Sequence, residues 1–149
     1  MSQIYSNKKI AIVVSRFNEF VTHRLLQGCL KELQRSGVKN SQIAMSWVPG
    51  SMEIPVAALK WAQKKNVDAV ICLGAVIRGE TYHFELVANE TARGIMDVSL
   101  KTAKPIIFGV LSTNTIEEAN QRSRLDRGEN KGRDAAQTAL EMLGVLSKI

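Results

Sequence analysis

Asp68-Ala69-Val70-Ile71-Cys72-Leu73-Gly74-Ala75-Val76-Ile77 is the strongest strand signal in the chain. The run is apolar, rich in β-branched residues and unbroken, and it falls far short of the roughly 18 apolar residues that span a bilayer. Such a run reads as a strand buried on both faces, the pattern of a parallel sheet covered by helices. Upstream, Ile10-Ala11-Ile12-Val13-Val14 within Lys9–Ser15 repeats the pattern. Gln42–Val48 is a weaker strand ending in the turn pair Pro49-Gly50. Downstream, Pro105–Leu111 makes the fourth strand.

Between these runs the apolar period changes to that of a helix. Residues 19–36 carry Val21, Leu25, Cys29, Leu30 and Leu33 at helical spacing, and Gly37 stops them. Residues 52–65 bring Ile54, Ala58, Trp61 and Ala62 to one side, with Pro55 tolerable only in the first turn. Residues 83–102 form a long helix with Phe84, Ala88, Ile95 and Val98 on its apolar face. Thr113-Asn114-Thr115 caps a short helix to about Ser123, with Glu117 and Glu118 in its first turn. The charged linker Arg124–Lys131 leads to a last helix over 132–147. Strands alternating with helices predict βαβ units and a parallel sheet, and right-handed crossovers make 2-1-3-4 the simplest order. The expected fold is α/β: a flavodoxin-like three-layer sandwich with a four-stranded parallel sheet and about five helices, as one domain over 1–149.

Composition narrows the function. The 149 residues are 45% hydrophobic and 23% charged, ordinary for a globular domain that builds its core without staples. Net charge is +6 but scattered, which favours anionic partners only weakly. Aromatics are 5% of the chain, too few for the broad basic and aromatic stripe of a nucleic-acid surface. Cys29 and Cys72 lie in separate apolar runs and, with His23 and His83, make no metal-ligand cluster; they read as reduced core thiols. Met1–Lys9 is polar and has no apolar leader core, so the expectation is a cytoplasmic protein without membrane attachment.

Open parallel sheets gather ligands beyond the carboxyl ends of their strands. The segments expected there are Ser15-Arg16-Phe17-Asn18, Pro49-Gly50-Ser51-Met52-Glu53, Ala75 to His83, and Leu111-Ser112-Thr113-Asn114. His83, at a helix start, reads either as a general acid/base or as a capping or surface histidine. Gly79-Glu80-Thr81 precedes the same helix, where free N–H groups suit a phosphate; a plain loop capped by Thr81 fits equally. Glu80 is awkward beside an anion unless it points away or meets Arg78. Phe17 reads as a stacking ring or as one folded over the sheet edge, while Trp47 and Trp61 read as core or interface residues. Arg122, Arg124, Arg127, Lys131 and Arg133, diluted by Asp126 and Glu129, form either a solvated face or an anion grip. No dinucleotide fingerprint, Walker sequence or nucleophile elbow occurs.

Taken in order and spacing, Ser15-Arg16-Phe17-Asn18, Val48 to Pro55, Gly74 to Phe84, Phe108 to Thr113 and Asn130-Lys131-Gly132 resemble the 6,7-dimethyl-8-ribityllumazine synthase family. The likeness runs from Ile10 to about Leu143. It implies a transferase of riboflavin biosynthesis that condenses 5-amino-6-(D-ribitylamino)uracil with 3,4-dihydroxy-2-butanone 4-phosphate, without metal or organic cofactor. It also implies that Phe17 stacks on the pyrimidine, that Ser51, Met52 and Glu53 line the ribityl chain, and that Ala75, Val76 and Ile77 offer backbone groups to the pyrimidine edge. Glu80 and Thr81 would hold the phosphate and His83 would move protons. Phe108 would reach in from a neighbouring subunit, Arg122 would pair with the phosphate, and Lys131 would be a nearby polar contact. The family implies a homo-oligomer of pentamers with sites between subunits, and makes riboflavin synthase a candidate further partner.

This sequence departs from the family's pattern in places. Met52 stands where many members carry Phe or Trp, which softens that wall. The Arg124–Glu129 linker is about one residue longer, and the N-terminal arm shorter, than in capsid-forming members; both favour a pentamer or a pair of pentamers over a shell. Competing readings are a non-catalytic flavin- or lumazine-binding module on the same fold and a flavodoxin-like electron carrier. The missing phosphate loop after strand one and the positive charge oppose the carrier.

Overall fold

The computed structural model describes residues 5–149; Met1–Ile4, the first part of the polar arm, lie outside the described residues. The strands are β1 (Ile10–Ser15), β2 (Ile43–Val48), β3 (Ala69–Ile77) and β4 (Ile106–Thr113). The α-helices are α1 (Glu19–Arg35), α2 (Ile54–Ala62), α3 (His83–Thr102), α4 (Ile116–Gln121) and α5 (Lys131–Ser147). All strand pairs are parallel and the order is β2-β1-β3-β4, as the sequence predicts.

The unbroken apolar runs are the central strands. Every residue of β1 is buried, and so is β3 up to Val76. Side chains alternate across the sheet. Ile10, Ile12, Val14, Ile71 and Leu73 pack against Leu25 and Leu33 of α1 and Leu140 of α5. Ala11, Val13, Val70 and Cys72 pack against Ile54 and Ala58 of α2 and Ile95 and Val98 of α3.

Helix ends follow local rules where the chain supplies them. Gly37, at φ 95°, ends α1: Val38 N–H donates to Leu33 O at 2.9 Å and Gly37 N–H to Gln34 O at 3.0 Å, a Schellman pair. Thr115 caps α4 by accepting from Glu118 N–H at 3.1 Å, and Asn130 caps α5 by accepting from Arg133 N–H at 3.0 Å.

Three boundaries differ from expectation; the short helix predicted to about Ser123 ends at Gln121. The helix predicted over 52–65 is a 3₁₀ turn, Ser51–Glu53, followed by an α-helix ending at Ala62. Lys104, distant in sequence, sets that end: its Nζ donates to Ala62 O at 2.7 Å, Lys64 O at 3.0 Å and Val67 O at 2.8 Å. The fourth strand runs on to Thr113, opposite Ile77, beyond the predicted end at Leu111. Thr113 is therefore a strand residue, and Thr115 does the capping.

Candidate functional site

At the carboxyl edge of the sheet, β3 overhangs its neighbour. Its register with β1 stops at Leu73, while that with β4 continues to Ile77. Above the shorter β1, the loops after β1, β2 and β3 enclose an open cleft of about 520 Å³.

The loop after β1 runs beside that after β2. Arg16 N–H donates to Val48 O at 2.8 Å and Phe17 N–H to Pro49 O at 3.0 Å. Asn18 then takes the left-handed conformation (φ 63°), which asparagine tolerates better than most residues. Its Nδ2 donates to Ala75 O at 2.9 Å, tying this loop to the end of β3. Phe17 is left 71% exposed with its ring on the cleft. Across from it, the 3₁₀ turn buries Ser51 and exposes Met52 and Glu53.

Under the cleft Gly74 keeps space open. A Cβ there would lie 2.9 Å from Ser51 Oγ and 3.1 Å from Ser15 Oγ. Arg78 N–H donates to Thr113 O at 2.8 Å, so strand alternation turns the Val76 backbone toward β4 and the Ile77 backbone toward the open side. The following loop carries Gly79, Glu80 and Thr81 and enters α3 at His83. Thr81 Oγ1 accepts from His83 N–H at 3.3 Å. Arg78 pairs with Glu85 rather than with Glu80, and its guanidinium holds the Glu85 carboxyl below the usual carboxylate range. That resolves the awkwardness of Glu80 only in part, since Glu80 stays exposed beside the cleft without lining it.

The sequence-predicted residues thus divide. Phe17, Ser51, Met52, Glu53, Ala75, Val76, Ile77, Thr81 and His83 line one cleft. Phe108, Arg122 and Lys131 lie elsewhere. Phe108 sits near the start of the edge strand β4, opposite Cys72 and 38% exposed. Arg122 caps the end of α4, its Nη1 donating to Glu118 O at 3.2 Å and its Nε 3.7 Å from Glu129 Oε2. Lys131 opens α5 and donates its N–H to Arg122 O at 2.9 Å. Buried Asn130 anchors this corner by donating to Arg24 O at 3.2 Å and Arg124 O at 3.0 Å.

Asn18, expected only as part of the Ser15–Asn18 segment, and Phe84, expected on the apolar face of the 83–102 helix, both line the cleft. An asparagine between a strand end and a helix start was the available signal for Asn18. Among the described residues no three His, Cys, Asp or Glu side chains converge as a metal site, and no helix is long and apolar enough to cross a membrane.

Fold and cleft define a class: an α/β sandwich of flavodoxin-like topology with an open cleft at the carboxyl edge of its sheet, the place where open parallel sheets gather ligands. A family model described as 6,7-dimethyl-8-ribityllumazine synthase matches residues 7–147. A 6,7-dimethyl-8-ribityllumazine synthase of Protochlamydia amoebophila (strain UWE25) is 48% identical over 144 residues, covering 97% of this chain and 83% of the relative. The chain belongs to the 6,7-dimethyl-8-ribityllumazine synthase family. It is an enzyme, a transferase of riboflavin biosynthesis acting on small molecules.

Proposed function

We propose that the carboxyl-edge cleft is where this chain condenses 5-amino-6-(D-ribitylamino)uracil with 3,4-dihydroxy-2-butanone 4-phosphate, releasing the lumazine, phosphate and water, with His83 as proton shuttle. The observation that carries the reading is the convergence of Phe17, the Ser51–Glu53 turn, the β3 overhang and His83 on one open cleft. The amine attacks the ketone and loses water to form an imine, phosphate is eliminated, and the second amine closes the ring onto the remaining carbonyl with loss of a second water. Such steps need orientation and proton movement rather than a covalent nucleophile.

In this reading Phe17 stacks on the pyrimidine, whose edge meets the backbone of Ala75, Val76 and Ile77. Because the Val76 backbone turns toward β4, Ala75 and Ile77 offer the groups best aimed at the ring. Ser51, Met52 and Glu53 line the ribityl chain, with the Glu53 carboxylate accepting from its hydroxyls. Glu80 and Thr81 hold the phosphate through main-chain N–H groups at the start of α3, where the helix end favours an anion.

Phe108, Arg122 and Lys131 serve a neighbouring copy's cleft, since each lies away from the cleft of its own chain. The chain accordingly acts as one domain in a homo-oligomer built on pentamers, with riboflavin synthase a candidate further partner. Exposed Leu86, Met96 and Leu100 on α3, with Val56 and Phe108, support an apolar face that a second copy covers. A cytoplasmic setting agrees with the buried free thiols of Cys29 and Cys72.

The test is an absorbance assay with both substrates, run beside His83→Ala. Lumazine formation by the parent and a loss of about 10²–10⁴-fold in the variant are expected. Residual turnover should persist, because proximity of the bound substrates contributes on its own. No product from a folded, oligomeric parent would favour the non-catalytic binding module. Equal rates would move proton transfer to another group.

A further inference from the structure

Arg78 stands one residue past the end of β3, where the chain leaves the sheet for the loop that carries Thr81 and His83. Its main-chain N–H still donates to Thr113 O at 2.8 Å, so its backbone is held by β4. Its side chain then turns along the loop and makes three contacts at once. Nε donates to Asn114 Oδ1 at 2.8 Å in the turn after β4. Nη1 donates to Glu85 Oε1 in the first turn of α3. The guanidinium carbon lies 4.4 Å from the centroid of the Phe84 ring, within cation–π range.

These contacts bracket the loop. One end is Arg78 itself; the other is Phe84 and Glu85, immediately after His83 in sequence. Phe84 also lines the cleft, so the arginine packs on a ring of the cleft wall. Within the bracket, a Cβ on Gly79 would touch nothing within 4 Å, so packing at that point does not hold the loop. A planar guanidinium with donors in a fixed fork suits this task, and a lysine ammonium does not.

We infer that Arg78 is a positioning residue: it closes the 78–85 loop onto α3, anchors it to the turn after β4, and so sets where His83 stands over the cleft. The inference rests on the reading of His83 as proton shuttle.

The test compares kcat, and KM for each substrate, in the parent, Arg78→Ala, Arg78→Lys, His83→Ala and the double variant Arg78→Ala/His83→Ala. Unfolding midpoint and oligomer mass are recorded for each. Arg78→Ala should lower kcat by about 10- to 100-fold, the scale of a misplaced catalytic group, with the pyrimidine KM nearly constant. Arg78→Lys should recover only part of that loss. The double variant should be no slower than His83→Ala alone, because a displaced shuttle has nothing further to lose once removed.

A folded Arg78→Ala with parent-like kcat, or one whose loss multiplies with that of His83→Ala, overturns the inference. A parent-like His83→Ala fails the shuttle reading itself and takes the inference with it; a slowed His83→Ala beside a parent-like Arg78→Ala fails the inference alone. Should Arg78→Ala not fold, Asn114→Ala and Glu85→Ala each remove one partner. Lowered kcat in these supports the role, and parent-like kcat in both overturns it.

Discussion

Cys29 on α1 and Cys72 on β3 are fully buried, and burial pushes both thiols up to about 12. The thiolate is the reactive form, and near neutral pH neither residue supplies it. Both thiols should therefore resist a soluble aromatic disulfide reagent in the native protein and react together once denaturant exposes them. Fast labelling of native protein would contradict the packing of both helical layers. Other single residues matter for how they bend or space the chain. Asn18 takes a left-handed conformation and turns its amide to Ala75 O. Gly74 leaves room for two hydroxyls under the cleft.

Among the elements, α1 and α5 show how closely two helices approach when glycine permits. A Cβ on Gly132 would lie 1.9 Å from Leu25 O, and one on Gly28 would lie 2.3 Å from Asn130 Oδ1. The first clash is with backbone, so no side chain can move aside. Gly132→Ala should lower stability by about 1–3 kcal/mol, the usual cost of overpacking, read as a lower urea midpoint at unchanged slope. The same helix pair holds a buried carboxylate. Arg35 donates to Glu32 from Nε at 2.8 Å and Nη2 at 2.6 Å, and Gln137 of α5 donates to it at 3.1 Å. The hydrogen bonds from Arg35 are the main cause holding the Glu32 carboxyl below its ordinary value, against the opposing effect of burial. A carboxyl depressed in the folded state stabilises the fold above its unfolded pKa, and that stabilisation is lost as pH falls through the folded value. Urea midpoints from pH 7 downward should thus fall less steeply for Glu32→Gln than for the parent, the difference opening below roughly pH 4.5, where an ordinary glutamate titrates. Parallel curves would remove Glu32 from the acid response.

At the scale of the whole molecule, Phe17 and His83 line the cleft, but Arg122, the residue proposed to grip phosphate, does not. If that arginine serves the next copy, two damaged chains can complement each other. His83→Ala and Arg122→Ala subunits, each slow alone, should regain activity when unfolded together and refolded as mixed oligomers. Random mixing leaves about a quarter of the interfaces with both residues intact, which sets the expected recovery. Recovery no greater than the sum of the separate variants would mean that each chain uses its own Arg122.

The apolar runs at Ile10–Val14 and Ala69–Ile77, the helical spacing between them and Gly37 after α1 were enough to read the parallel sandwich and its strand order from the chain alone. Burial on both faces, the 3.6-residue period and a glycine stop are local signals that survive without knowledge of neighbours. The motif order likewise picked out Phe17, Ser51–Glu53, Ala75–Ile77 and His83 as candidates. Only the tertiary structure decided where α2 ends, because Lys104 comes to it from more than forty residues away. It alone decided that Arg78 meets Glu85 and Phe84 rather than Glu80, and that Phe108 and Arg122 stand outside the cleft of their own chain. These outcomes depend on which groups the folded chain brings together or holds apart, and no period along the chain encodes those distances.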